Sequence, residues 1–289
     1  MNVYQPTEVT PQHIGSRVTL HNGVEMPVLG LGVFKVEEGQ EMITAIKAAV
    51  KLGYRSIDTA SIYGNEAGVG QAVQELIEEG VVTREELFIT SKAWNADLGY
   101  EETLAAYEQS LQRLGLDQLD LYLIHWPVPG KYRDAWRALE KLYGDGRVRA
   151  IGVSNFQIHH LEDLLATAEI VPVINQVELH PKLTQYELQQ YCADHGIRLE
   201  AWSPLMQGQL LEHPVLATIA EQHGKQVAQI ILRWNLQRGV ITIPKSISAK
   251  RIADNAQLFD FVLADEQMQQ IDALNEHVRV GPDPDHIDF

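Results

Sequence analysis

The sequence predicts an α/β fold, a (β/α)8 TIM barrel with an N-terminal β-hairpin outside the barrel, and three observations carry that prediction. A short apolar run, a polar stretch and an amphipathic segment recur along the chain. Eight such runs each feed a largely helical stretch, which implies parallel pairing. The 289 residues suit one closed barrel, which often takes roughly 250. No Ser/Gly-rich linker, charge block or low-complexity tract interrupts them, so 1–289 reads as a single domain.

The first element departs from the rhythm. Residues 17–20 and 24–26 flank His21-Asn22-Gly23, and Asn-Gly is a hairpin turn signature, so 17–27 is placed outside the repeat. Strands are then expected at 28–31, 56–58, 87–91, 119–124, 148–153, 173–175, 198–201 and 240–243. Amphipathic helices are expected at 41–52, 66–79, 100–114, 132–143, 158–168, 184–195 and 227–237, with 249–255 and 265–274 after the last strand. Gly53 and Gly196 stand just past two of these helices, where left-handed backbone suits glycine. Thr83 with Glu86 three residues later has capping-box form. A doubly wound open sheet is the alternative topology. It is weakened because Gly30-Leu31-Gly32 runs on into Val33, Phe34 and Lys35 without the third glycine of a dinucleotide-binding turn.

Composition narrows the function. Lys and Arg number 23 against 39 Asp and Glu, a formal net charge of -16. That balance argues against nucleic acid or an anionic membrane as partner. An anionic ligand would need a local cluster of Lys and Arg. No apolar run approaches the roughly 20 residues that span a bilayer, and residues 1–6 lack the basic and apolar regions of a secretory signal. Cys192 is the only cysteine, so an internal disulfide and a multi-cysteine zinc site are excluded. Its helical neighbours give it a buried apolar role, and a reducing cytoplasm is the expected compartment.

Polar residues gather at the strand ends. Asp58, Lys92 and His125 end the second, third and fourth strands; Ser154-Asn155, Gln176, Trp202-Ser203 and Lys245-Ser246 end the fifth to eighth. In a barrel these ends meet on one face, where active sites lie. Asp58 and Lys92 end adjacent strands, so the carboxylate would keep a buried ammonium charged. Tyr63 follows five residues after Asp58 and can fold back over the rim. A neighbouring ammonium is expected to lower its phenol below the usual value of about 10, toward a usable proton donor. His125 can offer an N–H to a substrate oxygen. A structural salt bridge, a core histidine and a packing tyrosine explain these residues singly. Together they suit a carbonyl oxygen that takes up a proton while negative charge develops.

These residues resemble the catalytic tetrad of the aldo-keto reductase family: Asp58, Tyr63, Lys92 and His125. The surrounding strings match too: Gly-Tyr-Arg-Ser-Ile-Asp at 53–58, Tyr-Gly-Asn-Glu at 63–66, Leu-Ile-His-Trp-Pro at 123–127, Ile-Gly-Val-Ser-Asn-Phe at 151–156, Asn175-Gln176, Trp-Ser-Pro-Leu at 202–205 and Ile-Pro-Lys-Ser at 243–246. The likeness runs from about Val18 to the end, nearest the bacterial glyoxal/methylglyoxal and 2,5-diketo-D-gluconate reductases. It implies NADPH-dependent reduction of aldehydes and ketones, small dicarbonyls such as glyoxal and methylglyoxal included, with Tyr63 as proton donor. Ser154, Asn155 and Gln176 would hold the nicotinamide carboxamide, with Asp58 near its ribose. Trp202 would stack on the ring where the family usually has Tyr. Ser203 and Leu205 would approach the pyrophosphate, and Gly32 and Val33 complete the cofactor set.

The cationic cluster follows the last strand as Lys245, Ser246, Ser248 and Arg251, with Asn255 one turn on. Guanidinium and ammonium groups bind a 2′-phosphate, which NADH lacks. Lys250 adds charge or is merely solvated. Phe34, Trp94 and Trp126 resemble the family's aromatic substrate walls, with His125 among them. The short loop after Trp126 and the brief tail beyond Val280 suggest an open pocket. No metal is expected: His159-His160, His180 and His213 lie in separate units without carboxylate or thiolate company, in solvated or capping roles. The partner is a small carbonyl compound and the chain a monomer. Two other readings remain: a Schiff-base aldolase using Lys92, and a cofactor-sensing regulatory protein with little turnover.

Overall fold

A computed structural model describes residues 11–287. A hairpin of β1 (Arg17–Thr19) and β2 (Glu25–Pro27) forms its own two-stranded antiparallel sheet. Eight strands follow, each paired in parallel with its sequence neighbour: β3 (Gly30–Gly32), β4 (Ser56–Asp58), β5 (Phe88–Ala93), β6 (Leu119–Ile124), β7 (Val148–Ser154), β8 (Ile174–Glu178), β9 (Arg198–Trp202) and β10 (Ile241–Thr242). Parallel bridges from Leu29 to Thr242 and from Gly32 to Lys245 join last to first and close the barrel.

Helices cover the outside, most of them turning one apolar stripe inward. In α1 (Gln40–Lys51) the buried face is Met42, Ile43, Ala45, Ile46, Ala49 and Val50, the spacing of one helix side. Then come α2 (Glu66–Glu78), α3 (Tyr100–Leu114), α4 (Tyr132–Gly144), α5 (Ile158–Leu165) and α6 (Tyr186–Asp194). The ring is completed by α7 (Pro214–His223), α8 (Val227–Gln237), α9 (Ala249–Asn255) and α10 (Asp265–Asp272). Among the described residues, no helix is long and apolar enough to cross a membrane.

Two cores result. The larger lies between strands and helices and includes Cys192, whose thiol is pushed up to about 12 by burial. The smaller fills the barrel floor: Phe88, Leu121, Leu123, Ala150, Ile174 and Ile241, with Leu20 and Met26 inserted from the hairpin. The hairpin therefore lies outside the barrel sheet yet plugs its bottom. Side chains two apart on a strand share a face and rise by roughly 7 Å. The face that is hydrocarbon at the floor thus carries Asp58, Lys92, Gln176 and Glu200 higher up, all buried.

The sequence rhythm marks the elements, and closure moves their ends. The strand expected at 28–31 pairs as Gly30–Gly32. Lys92 and Gln176 lie inside strands rather than beyond them, because inward partners let the ladder run on. The crossover after β9 holds the additional helix α7, with Pro214 in its first turn and Leu216, Ile219 and Ala220 buried. The Thr83 box closes a single turn before β5, where Glu86 accepts the Thr83 N–H at 2.8 Å. Gly53 and Gly196 have φ of 108° and 73°.

Candidate active site

At the top of the barrel Lys92 Nζ donates to Asp58 Oδ1 at 2.7 Å and to the Thr59 carbonyl at 2.9 Å. The same ammonium lies 5.2 Å from the centroid of the Tyr63 ring. The Tyr63 and His125 rings are 5.7 Å apart and nearly perpendicular, at 72°. The four groups named from sequence therefore converge. Tyr63 sits on a single 3-10 turn, Ser61–Tyr63, that buried polar neighbours hold in place. Thr59 donates to Asn65 Oδ1 at 2.7 Å, and Asn65 Nδ2 donates to the carbonyls of Val33 and Val36 at 3.0 and 2.9 Å. Glu66 accepts from Ser91 and Arg113 at 2.5 and 2.6 Å. The Asn and Glu that follow Tyr63 are thus anchors of the loop that carries it.

Electrostatics correct one expectation. Burial raises the Tyr63 phenol above its ordinary value, and the Lys92 ammonium only limits that rise. Tyr63 therefore keeps its proton across neutral pH. An alkoxide is far more basic than a phenolate, so transfer to a nascent alkoxide still runs downhill. Burial pulls Lys92 down, but Asp58, Tyr63 and Glu200 together outweigh it and raise its pKa, so it stays an ammonium. Burial first, and then Lys92, hold His125 well below its usual range, leaving a neutral imidazole.

A cavity of about 850 Å³ opens over these groups and runs to the start of α9. Every residue singled out from sequence for catalysis, cofactor or substrate lines it except Lys92, Val33 and Ser248. Lys92 lies beneath, fully buried. Val33 packs in the outer core and donates its backbone N–H to the Asp58 carbonyl at 3.1 Å. Ser248 caps α9 by accepting the Arg251 N–H at 3.4 Å. Beside the tetrad, Asn155 takes up φ of 65°, a region Asn tolerates. Its Nδ2 donates to the His125 carbonyl at 3.0 Å and Ser154 Oγ at 3.2 Å, and its Oδ1 accepts the Trp202 indole N–H at 2.8 Å. Gln176 Nε2 donates to Asp58 Oδ2 at 2.7 Å and to Glu200 Oε2 at 2.8 Å. At the far end Lys245 and Arg251 are exposed and meet no carboxylate among the described residues. Lys250 does not join them, since it pairs with Asp254 at 2.6 Å. An elongated cavity with amides and an indole at one end and free cations at the other fits a phosphorylated dinucleotide.

Comparison with known proteins agrees with this geometry. The Aldo/keto reductase family model matches residues 28–276. The Bacillus subtilis (strain 168) protein described as uncharacterized oxidoreductase YtbE is 69% identical, over 96% of this chain and 99% of its own. Glyoxal reductase of the same organism is 66% identical, over 96% of this chain and all of its own. The chain belongs to the aldo/keto reductase family. The crystal structure of a Gox0644 mutant in complex with NADPH is 43% identical with a TM-score of 0.89, covering 98% of this chain and 100% of that one.

In this aldo/keto reductase the aromatic wall is continuous. Phe34 tilts against Tyr63 at 4.9 Å, Trp94 meets His125 edge-on at 5.2 Å, and Trp126 stacks beside His125 at 6.4 Å. The tail supplies the opposite wall, through Val280, Gly281 and Pro282, which were not among the residues expected there. The N–H groups of Val280 and Gly281 donate to the buried Glu178 carboxylate at 2.6 and 3.1 Å. Gly281 lies flat on the indole of Trp202, where a Cβ would come 2.3 Å from Cη2. The Gly at 281 is the local signal.

The histidines also need correction. His180 is fully buried against Glu178 at 3.0 Å rather than solvated. His213 holds the N-cap position of α7 without a side-chain bond to it. His159 and His160 do have a carboxylate, Asp285, at 2.9 and 3.4 Å. The three form a ligand-sized group. His160 Nδ1, however, accepts the Gln157 N–H at 3.1 Å, so its proton is on Nε2, the atom that faces Asp285. That tautomer suits anchoring the tail and opposes ligation by Nε2.

Proposed function

We propose that this chain reduces aldehydes and ketones to alcohols with NADPH, acting on small dicarbonyls such as glyoxal and methylglyoxal with broad acceptance. The observation that carries the reading is a protonated phenol and a neutral imidazole facing one cavity above a buried ammonium. NADPH, when bound, supplies a hydride to the carbonyl carbon. His125 offers an N–H to the carbonyl oxygen and orients it. Tyr63 gives that oxygen its Oη proton, and the O–H electron pair stays on a phenolate that Lys92 stabilises. Asp58 keeps Lys92 charged. Asn155 and Ser154 grip the carboxamide of the nicotinamide, together with Gln176 Oε1, since both Gln176 Nε2 protons are spent on carboxyl groups. Trp202 stacks on the ring. Gly32, Ser203 and Leu205 would approach the ribose and pyrophosphate, with Val33 supporting Asp58 from outside the cavity through its backbone N–H. Lys245, Ser246, Arg251 and Asn255 would take the 2′-phosphate and adenosine, with Ser248 holding Arg251 in place as the cap of α9. The relative that is a glyoxal reductase supports the substrate class. A single-domain monomer in the cytoplasm completes the proposal.

The aldolase alternative loses ground on Lys92, which is buried, protonated and committed to Asp58 and Thr59. A Schiff base needs a free, reachable amine. The test is Tyr63→Phe, followed as NADPH consumption with glyoxal and methylglyoxal. The kcat should fall by about 10³-fold, with the NADPH Kd held within about twofold because the ring remains. Normal turnover would remove Tyr63 as donor.

A further inference from the structure

Glu200 is a buried acid that the proposed chemistry leaves unused. It stands on β9, two residues below Trp202, and is fully buried. Its hydrogen-bond partner is Gln176 Nε2, at 2.8 Å from Oε2, and Oε1 finds none among the described residues. The same nitrogen donates to Asp58 Oδ2 at 2.7 Å. One amide nitrogen therefore bridges two carboxyl groups, and the one nearby ammonium, Lys92, is in contact with Asp58.

We infer that Glu200 is a positioning residue of the reduction, a carboxyl that carries its proton at neutral pH and, on losing it in alkali, makes Tyr63 a poorer proton donor. The inference rests on Tyr63 being that donor. The charge balance argues for it first. Asp58 and Lys92 cancel, so an ionised Glu200 would leave one uncompensated negative charge in a dry interior, and the neutral acid is the cheaper state. Among the described residues no other group offers relief. At its level β8 brings the uncharged Gln176 and β10 brings Ile241. Asp58 and Lys92 face it from β4 and β5. Glu178 and His180 are occupied with each other and the tail, Lys245 is at the exposed rim, and Arg198 lies toward the floor. Burial, then Asp58, push the Glu200 carboxyl well above the ordinary range, against the pull of Gln176 and Lys92. Since Oε2 accepts from Gln176, the proton belongs on Oε1.

The consequence reaches the donor. An anion at Glu200 raises the Tyr63 phenol and tightens the hold on the Lys92 proton. The Oη–H bond then breaks less readily as the alkoxide forms.

The experiment is the pH profile of kcat, at saturating NADPH and one fixed aldehyde, for wild type, Glu200→Gln and Glu200→Asp. Wild type should show an alkaline step of about threefold to tenfold. Glu200→Gln, which cannot ionise, should lose that step, and Glu200→Asp should restore one. A purely structural role would scale all rates without moving the profile. Should Glu200→Gln not fold, infrared spectra of the wild type decide. A protonated carboxyl stretch should be present at neutral pH and disappear with the midpoint of the kcat step. Identical profiles in wild type and Glu200→Gln, or no protonated carboxyl at neutral pH, overturn the inference. Either result leaves the donor role of Tyr63 standing; that role is overturned separately by an active Tyr63→Phe.

Discussion

The floor and the mouth of this barrel are built by the same strands under opposite rules. On β5, Phe88 points into hydrocarbon, and Lys92, on the same face four residues later, points into a charge cluster. On β8, Ile174 gives way to Gln176 within two residues, and just past the end of β6 His125 follows Leu123. At the floor each buried side chain stabilises by about 1.5–3 kcal/mol and needs only neighbours of the right shape. At the mouth burial costs free energy unless every charge is matched. The floor, sealed by Leu20 and Met26 from the hairpin, offsets a mouth whose groups are chosen for chemistry. Dryness is what the two share, and it makes the mouth's charges act strongly on one another.

Three substitutions sharpen or break this contrast. The largest effect belongs to Lys92→Met. It strips Asp58 of its cation and should cost about 3–5 kcal/mol of stability in urea unfolding, with kcat lowered by about 10³-fold. Unchanged stability would mean that Asp58 takes up a proton without penalty, and that the mouth is less constrained than described. Leu121→Ala comes next, at about 2–5 kcal/mol. The folded enzyme should keep its kcat within about twofold at saturating substrates, because the change stays in hydrocarbon. A parallel loss of turnover would show that floor and mouth are mechanically coupled. The smallest is Arg251→Ala. This cation is exposed, so stability should hardly change. The KM for NADPH should rise by about tenfold, the worth of one charge-assisted contact, and far more than the KM for NADH. Equal effects on the two cofactors would detach Arg251 from the 2′-phosphate.

Much of this was legible in the residues. The tetrad stood out because Asp58, Lys92 and His125 are polar residues ending apolar runs, and Tyr63 follows in the next loop. α7 carries its own local signal: Pro214 opens it, and Leu216, Ile219 and Ala220 recur on one face. Other features were not legible. Glu178 and the tail it binds are more than a hundred residues apart, as are His160 and Asp285. Glu200 reads as one polar residue in Arg-Leu-Glu-Ala-Trp, and nothing local says whether it faces solvent, helices or the barrel axis. In sequence the Tyr63 phenol has only a charged neighbour to suggest its acidity, whereas depth of burial is the larger influence in the fold.

By itself the sequence determined the alternation of strands and helices, and hence which residues would stand at the carboxyl ends of a parallel barrel, because periodicity and turn chemistry are local. It also determined the reactive types and their order. Closure of the barrel decided the rest: which carboxyl holds a proton, which ammonium keeps one, and which tail segment walls the cavity. Those outcomes depend on distance from water and on partners far apart in the chain, and neither quantity exists until the chain has folded.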